Sequence, residues 1–390
     1  MLKVAFAFAV VIVVALIGFS LINGGSGESI TASAEFLAPD ADASLFARAD
    51  APYDWDFPRD YGSHNAFQTE WWYYTGNVAD AAGRRFGYQF TVFRRAIAPA
   101  SGEPASASEF RTTQVYMAHF TLSDIASQRF FHEQRFSRGG VDLAFALPDD
   151  NQPSAPYRVA LENWQVRAAD APDTFTLTAS STNGFSVDFT LTDLKGPVLQ
   201  GDAGLSAKSS LPGSASYYYS QPRLLTEGTL TIGEQAFTVS GATWMDHEFS
   251  TSALGENALG WDWFGLHFDD GRELMIGQIR LLDGGKEPAF GGLLIETDGS
   301  TRYLPADQFT ITSTAAWTSP HTSAVYPSGW QIEILGDGGF DFAVTPLQPD
   351  QELYDSDPSY WEGAVALSGS VTGYGYAELT GYVQAMTRRF

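Results

Sequence analysis

The stretch TEWWYYTGN, Thr69 to Asn77, sets four consecutive aromatic rings behind a glutamate. A strand sends successive side chains to opposite faces. Read that way, Trp72 and Tyr74 share one face with Glu70, while Trp71 and Tyr73 take the other. Large rings on both faces suit a strand whose one side fills a barrel and whose other side packs on a neighbour. The segment therefore predicts a wall between two apolar environments. Glu70, at its edge, needs a hydrogen-bond partner, because an unpaired buried carboxylate is costly.

The same period of two runs outward from this stretch. RFGYQFTVF (Arg85–Phe93) lines up Phe86, Tyr88, Phe90 and Val92 on one face. FSVDFTLTD (Phe185–Asp193) alternates Phe185, Val187, Phe189 and Leu191 with polar residues. HFDDGRELMIG (His267–Gly277) and IETDGSTRY (Ile295–Tyr303) carry Asp-Gly turn signals between strand-like runs. No long stretch with helical spacing follows the N-terminal segment. The pattern predicts an all-β chain of barrels or sandwiches. There is also an internal echo. WWYYTGNVADAAGRRFGYQF from Trp71 aligns with WDWFGLHFDDGRELMIGQI from Trp261, once Ala81 and Ala82 are skipped. Trp71 then matches Trp261, Tyr74 matches Phe264, Asp80 matches Asp270, Gly83 matches Gly271 and Arg84 matches Arg272. Duplication of one β-domain explains the match better than shared turn chemistry.

At 390 residues the chain is long enough for two domains, and 44% hydrophobic content suffices for two cores. A net charge of −24 repels phosphate backbones, so no nucleic-acid partner is expected. Without cysteine there is no disulfide, thiolate zinc site or cysteine nucleophile. Near the start, Lys3 precedes an uncharged run from Val4 to Ile22. That run is long enough to cross a bilayer at ~1.5 Å per residue. Residues 1–23 read as a signal peptide or membrane anchor, which predicts export, and 24–51 read as a Gly/Ser/Ala/Asp-rich linker.

Chemistry-bearing residues concentrate between Gly241 and Met275. In extended TWMDHEF, Trp244, Asp246 and Glu248 share a face, and Met245, His247 and Phe249 share the other. In WDWFGLHFDD, Trp261, Trp263, His267 and Asp269 project together. Two readings stay open. Acids among tryptophans hold a raised pKa and donate protons at neutral pH, or they pair with Arg272 or Arg280 and cap turns. Trp244, Asp246, His247, Glu248, Trp261, Trp263, His267 and Asp269 are expected to cluster at the domain junction or a barrel mouth. Tyr218, in SASYYYSQPRL, adds an aromatic surface with a polar tip. Six scattered histidines without ligand spacing predict no metal site, and no glycine-rich phosphate loop or Gly-x-Ser-x-Gly elbow is present, so no cofactor is expected.

Taken as an ordered set, FPRDYGSH, TEWWYYTGN, FGYQFTVFR, SYYYSQPRL, GATWMDHEFS, GWDWFGLHFDDGRELM and YWEGAVALSGSVTGYGYAELTGY resemble the secreted lipocalin-like AttH proteins. Their superfamily includes carotenoid 1,2-hydratase (CrtC, hydroxyneurosporene synthase). The resemblance covers about Asp54 to the end. It implies two tandem lipocalin-like (calycin-type) antiparallel barrels, a CrtC/AttH-type domain at 52–245 and a C-terminal lipocalin-like domain at 246–390. It also implies a hydrophobic ligand of lipid or isoprenoid type, with hydratase or hydrolase activity or an accessory role beside an ABC-type exporter as alternatives. Hydration asks for an acid to protonate the alkene, rings to stabilise the cation and a held water. On that basis the catalytic candidates are Asp246, His247, Glu248 and Asp269. The ligand-binding candidates are Trp71, Trp72, Tyr74, Tyr218, Trp244, Trp261, Trp263 and His267.

Overall fold

The computed structural model describes residues 42–99, 112–251 and 253–386. The Val4–Ile22 run and the linker up to residue 41 lie outside them. Among the described residues, no helix is long and apolar enough to cross a membrane.

Apart from two short 3-10 turns, the described elements are strands. The first set comprises β1 (Thr69–Asp80), β2 (Arg85–Ala96), β3 (Gln114–Asp124), β4 (Arg129–Arg138), β5 (Ala144–Leu147), β6 (Arg158–Leu161) and β7 (Trp164–Ala168). It continues with β8 (Thr174–Ser180), β9 (Phe185–Asp193), β10 (Val198–Leu199), β11 (Leu205–Ala207), β12 (Ala215–Ile232) and β13 (Gln235–Ser250). The second set comprises β14 (Ala258–Phe268), β15 (Glu273–Leu281), β16 (Gly292–Ile295), β17 (Thr301–Leu304), β18 (Phe309–Ser313) and β19 (Ala316–Thr318). It ends with β20 (Val325–Pro327), β21 (Trp330–Ile334), β22 (Phe340–Pro346), β23 (Glu352–Leu353), β24 (Tyr360–Gly369) and β25 (Gly373–Leu379).

One sheet runs β4-β3-β2-β1-β13-β12-β9-β8-β7-β6-β5, and the other β17-β16-β15-β14-β25-β24-β22-β21-β18. In each, the first strand pairs antiparallel with the last, as β1 with β13 and β14 with β25. That pairing curls a meander into a nearly closed antiparallel barrel. Both barrels stay open between their fourth and fifth strands, at β4/β5 and at β17/β18. The shared layout supports the internal echo. Asp80 and Asp270 each accept a backbone N–H two residues on, from Ala82 and from Arg272, and Gly83 and Gly271 both adopt positive φ. Tyr74 and Phe264 both point into their own barrel's core.

The sheets divide later than a boundary at 245/246. Strand β13 remains paired with β1 through Ser250, and the second sheet begins at Ala258. Cutting at 246 would split a continuous ladder.

Side chains fill both barrels. Trp72, Tyr74, Tyr88, Phe90, Trp164 and Phe189 pack inside the first, and Phe264, Trp330, Phe342 and Trp361 inside the second. The outward face of β1 meets the second barrel, where Tyr73 and Tyr218 pack with Trp244, Trp263, Ala364 and Tyr376. Glu273 of the second barrel is buried against Lys195 (2.6 Å) and Arg223 of the first, so an ion triad also joins the two units.

Candidate functional site at the junction of the barrels

The register of three adjacent strands builds two different environments. On the inward side, Trp72, His247 and Tyr219 form one cross-strand row. On the outward side, Trp71 stands beside Glu248 and Tyr218, and Tyr73 beside Asp246 and Ser220.

The inward row ends in a closed charge cluster. Glu70 accepts from Arg94 Nε (2.8 Å), from His64 Nδ1 (2.8 Å) and from His247 Nε2 (2.8 Å), and all four residues are buried. His64 Nε2 reaches Asp60 at 3.1 Å, and its ring stacks on Phe249 at 3.6 Å. Burial opposes charge on Glu70, but Arg94 and the two imidazoles outweigh it and hold the carboxyl well below its ordinary value. Burial likewise opposes charge on His64, yet the flanking Asp60 and Glu70 carboxylates hold its pKa above the ordinary value. His247 goes the other way, lowered by burial. One nitrogen each of His64 and His247 and one Glu70 oxygen lie within 4.8 Å of one another, close enough for a metal ion. Those atoms are already bonded to one another, and Arg94 supplies the positive charge an ion would bring. The cluster acts as a latch tying the His64 loop to β1, β2 and β13.

The outward rows open on a cavity of about 100 Å³ between the barrels. The first barrel supplies Trp71, Tyr73, Phe93, Met117, His119, Tyr218, Asp246 and Glu248 to its wall. The second supplies Trp261, Trp263, Ile279, Tyr360 and Glu378, and Lys208, Leu254, Phe290 and Met386 add loop contacts.

Four acids converge here. Asp246 is buried and accepts from Tyr218 Oη (2.9 Å), Trp244 Nε1 (2.7 Å) and Ser220 Oγ. Burial pushes its pKa up to about 7 despite these donors, and the nearby Glu248 charge adds to the rise. Glu378 sits half-buried on the wall, paired across strands with Trp263 and Glu362. Desolvation pushes it up to about 8, helped by Asp246 and Glu248 and opposed by a hydrogen bond with Trp261. Glu362 is fully buried, accepts a hydrogen bond from the Tyr73 hydroxyl and is held well above the ordinary carboxyl range by burial. Lys208 Nζ lies 2.9 Å from Glu248 Oε1 without hydrogen-bond alignment, and bonds Ser206 Oγ at 3.1 Å. Near neutral pH the wall thus presents a protonated carboxyl, Glu378, and a carboxylate half-titrated at about 7, Asp246.

The structure sorts the residues expected from sequence. Asp246, Glu248, Trp71, Tyr218, Trp261 and Trp263 line the cavity. Trp244 stands behind it and donates to Asp246. His267 lies close behind Trp244, with Nε2 donating to the Pro222 carbonyl (2.6 Å); burial first and the Arg223 charge second press its pKa to about 3. Four of the expected residues lie elsewhere. His247, Trp72 and Tyr74 face the packed interior of the first barrel, because odd and even positions part company along a strand. Asp269 is exposed and bonds Thr372 Oγ1 (2.7 Å), because β14 ends at Phe268 and alternation stops at the turn. Cavity residues missed by sequence reasoning are Glu378, Tyr360, His119 and Lys208. Glu378 carried a legible signal, an acid two residues from Tyr376 on the face opposite Ala377 and Leu379.

Two nearly closed barrels with an aromatic, acid-bearing cavity at their junction define a class of tandem lipocalin-like proteins. The AttH-like family profile matches residues 48–382, and the chain belongs to that family. It is similar to an AttH crystal structure from Nitrosomonas europaea, with 36% identity, TM-score 0.75, and coverage of 87% of this chain and 100% of the other. It shares its fold with kievitone hydratase from Nectria haematococca at 17% identity, TM-score 0.61, and coverage of 88% and 97%. CghA, in complex with Sch210972, also shares the fold at 13% identity, TM-score 0.50, and coverage of 86% and 95%. No curated protein matches the chain.

Proposed function

We propose that the junction cavity takes up an apolar, unsaturated small molecule of lipid or isoprenoid character and adds water across one of its double bonds. The observation that carries this reading is the pair of acids, Glu378 and Asp246, held at about 8 and about 7 in an aromatic wall. Glu378 gives its proton to the alkene carbon. The rings of Trp71, Trp261, Trp263 and Tyr218 stabilise the cation that forms. Water attacks the cation, and Asp246 takes the proton that water releases. One water is gained, and the two carboxyls regain their starting protonation by exchange with solvent. The similarity to a hydratase fold agrees with this reading without assigning a substrate.

The rival reading is uptake without chemistry, as a carrier handing apolar cargo to an ABC-type exporter. It is favoured by the three donors that tie down Asp246. In either case the protein acts outside the cytoplasmic membrane, a placement supported by Lys3 and the Val4–Ile22 run. A reporter fused after Phe390 that works only in the cytoplasm would refute it.

Protein purified from its native host, with any co-purified ligand identified by mass spectrometry, provides the test. Incubated in oxygen-isotope-labelled water, the wild type should add labelled water to that ligand, and the Glu378→Gln protein should bind it unchanged. A ligand that stays unlabelled with the wild type favours the carrier.

A further inference from the structure

One cavity hydroxyl is left with its proton to spend. Tyr360, on β24, is buried and lines the cavity two residues before Glu362. Its oxygen lies 2.6 Å from His119 Nδ1 and accepts from Gln89 Nε2 at 3.2 Å. The other imidazole nitrogen, His119 Nε2, lies 2.6 Å from Gln134 Nε2. An amide nitrogen can only donate, so His119 Nε2 accepts and the ring's single proton sits on Nδ1. Burial keeps that ring neutral, with its pKa pressed down to about 3. Nδ1–H therefore donates to Tyr360. Gln89 in this orientation uses its amide nitrogen on both Tyr360 and Thr91 Oγ1 (2.7 Å), and the atom left over is its oxygen. Gln134 likewise uses its nitrogen on His119 and on Met117 Sδ (3.2 Å).

A phenol oxygen that accepts two hydrogen bonds has no acceptor capacity left, and its own proton must point elsewhere. Among the described residues no acceptor takes it, and the open direction is the cavity. We propose that Tyr360 donates to a carbonyl-class oxygen on an otherwise apolar ligand. The inference rests on the apolar-ligand reading above and adds the chemical class of the ligand's polar end. A donor suits a ligand oxygen better than the attacking water, since a bond donated into that water's lone pair opposes its nucleophilicity. His119, Gln134 and Gln89 are positioning residues, which fix the direction of the Tyr360 proton.

The test uses geranylacetone, an unsaturated ketone, and the hydrocarbon of the same carbon skeleton, titrated against tryptophan fluorescence. A ketone condenses with the Lys208 amine less readily than an aldehyde would. Tyr360→Phe should raise the ketone Kd roughly five- to tenfold, the worth of one neutral hydrogen bond, and leave the hydrocarbon Kd within about twofold. Nitrogen NMR of the wild type should show His119 protonated at Nδ1 only. Equal changes for both probes, or no change for the ketone, would overturn the inference, as would an Nε2–H tautomer. If the hydrocarbon binds and the ketone shows no dependence on Tyr360, this inference fails and the apolar-ligand reading stands. If neither probe binds the wild type, both fall together.

Discussion

Truncating Trp72 to alanine tests the two-sided reading of β1. Trp72 is fully buried in the first barrel's core. Its indole stacks on His247 at 4.8 Å, and its Nε1 donates to the Tyr61 carbonyl at 2.9 Å. Removing a buried tryptophan costs about 3–5 kcal/mol in lost transfer energy plus the cavity left behind. The orphaned carbonyl and the uncovered charge cluster place the expected value in the upper half of that range. For a unit of roughly 150–250 residues each kcal/mol lowers Tm by about 2–4 °C, so a loss of about 4 kcal/mol predicts a drop of roughly 8–16 °C. Trp71, one residue earlier, is only partly buried and faces the junction cavity. Trp71→Ala should cost less than about half as much, while weakening uptake of the apolar probes. Thermal melts with urea titrations measure both. If Trp72→Ala melts within about 3 °C of the wild type, or if Trp71→Ala is the more damaging change, the assignment of faces is wrong.

Arg94→Met should destabilise the protein by about 3–5 kcal/mol, because it strands the buried Glu70 charge. The same latch sets a pH dependence with two flanks. The Glu70 contribution is present above its ordinary value of 4.5 and is lost as pH falls through the lower folded value. The His64 contribution is full below its ordinary value of 6.5 and is lost as pH rises through the raised folded value. Glu70→Gln should flatten the acid flank, and an unchanged acid-side melting profile would contradict the latch. Glu378 has the opposite sign from Glu70. Its folded pKa lies above the unfolded one, so the unfolded state ionises first and stability falls as pH rises from about 4.5 to about 8. Glu378→Gln should therefore melt higher than the wild type at about pH 8 and nearly equal to it at about pH 4; a lower Tm at the upper pH would contradict the cavity assignment.

Alternation made much of this legible. It separates Trp71 and Tyr73 from Trp72 and Tyr74 and gives Asp246 and Glu248 a common face, while the crowding of acids and rings in one segment points to the junction or a barrel mouth. The matched turns at Asp80 and Asp270 carry the internal echo that the two sheet orders share. What alternation cannot supply is which side of a strand closes and which opens. His247 shares its face with Met245 and Phe249, and only the arrival of Glu70 and His64 shows that this face is sealed. The rule also ends where a strand ends, and Asp269 lies one residue past the end of β14. Glu378 and Tyr360 reach the site from strands more than a hundred residues beyond Asp246, so their convergence depends on how the second barrel docks on the first. That docking rests on the apolar contact of Tyr73 and Tyr218 with Trp263, Ala364 and Tyr376, joined by the Lys195–Glu273–Arg223 triad and the Tyr73–Glu362 bond, all between residues far apart in the chain.

The central claim is that the junction holds an acid pair poised for proton transfer at neutral pH. Carbon-detected NMR of the side-chain carboxyls, titrated across neutral pH and assigned with Asp246→Asn and Glu378→Gln, measures it directly. Among the carboxyls raised above the ordinary range, the account predicts one midpoint at about 7 and one at about 8, each vanishing in its own variant, with the Glu378 midpoint shifting downward in Asp246→Asn as the neighbouring charge is removed. Both carboxyls titrating near their ordinary value of about 4 would contradict it.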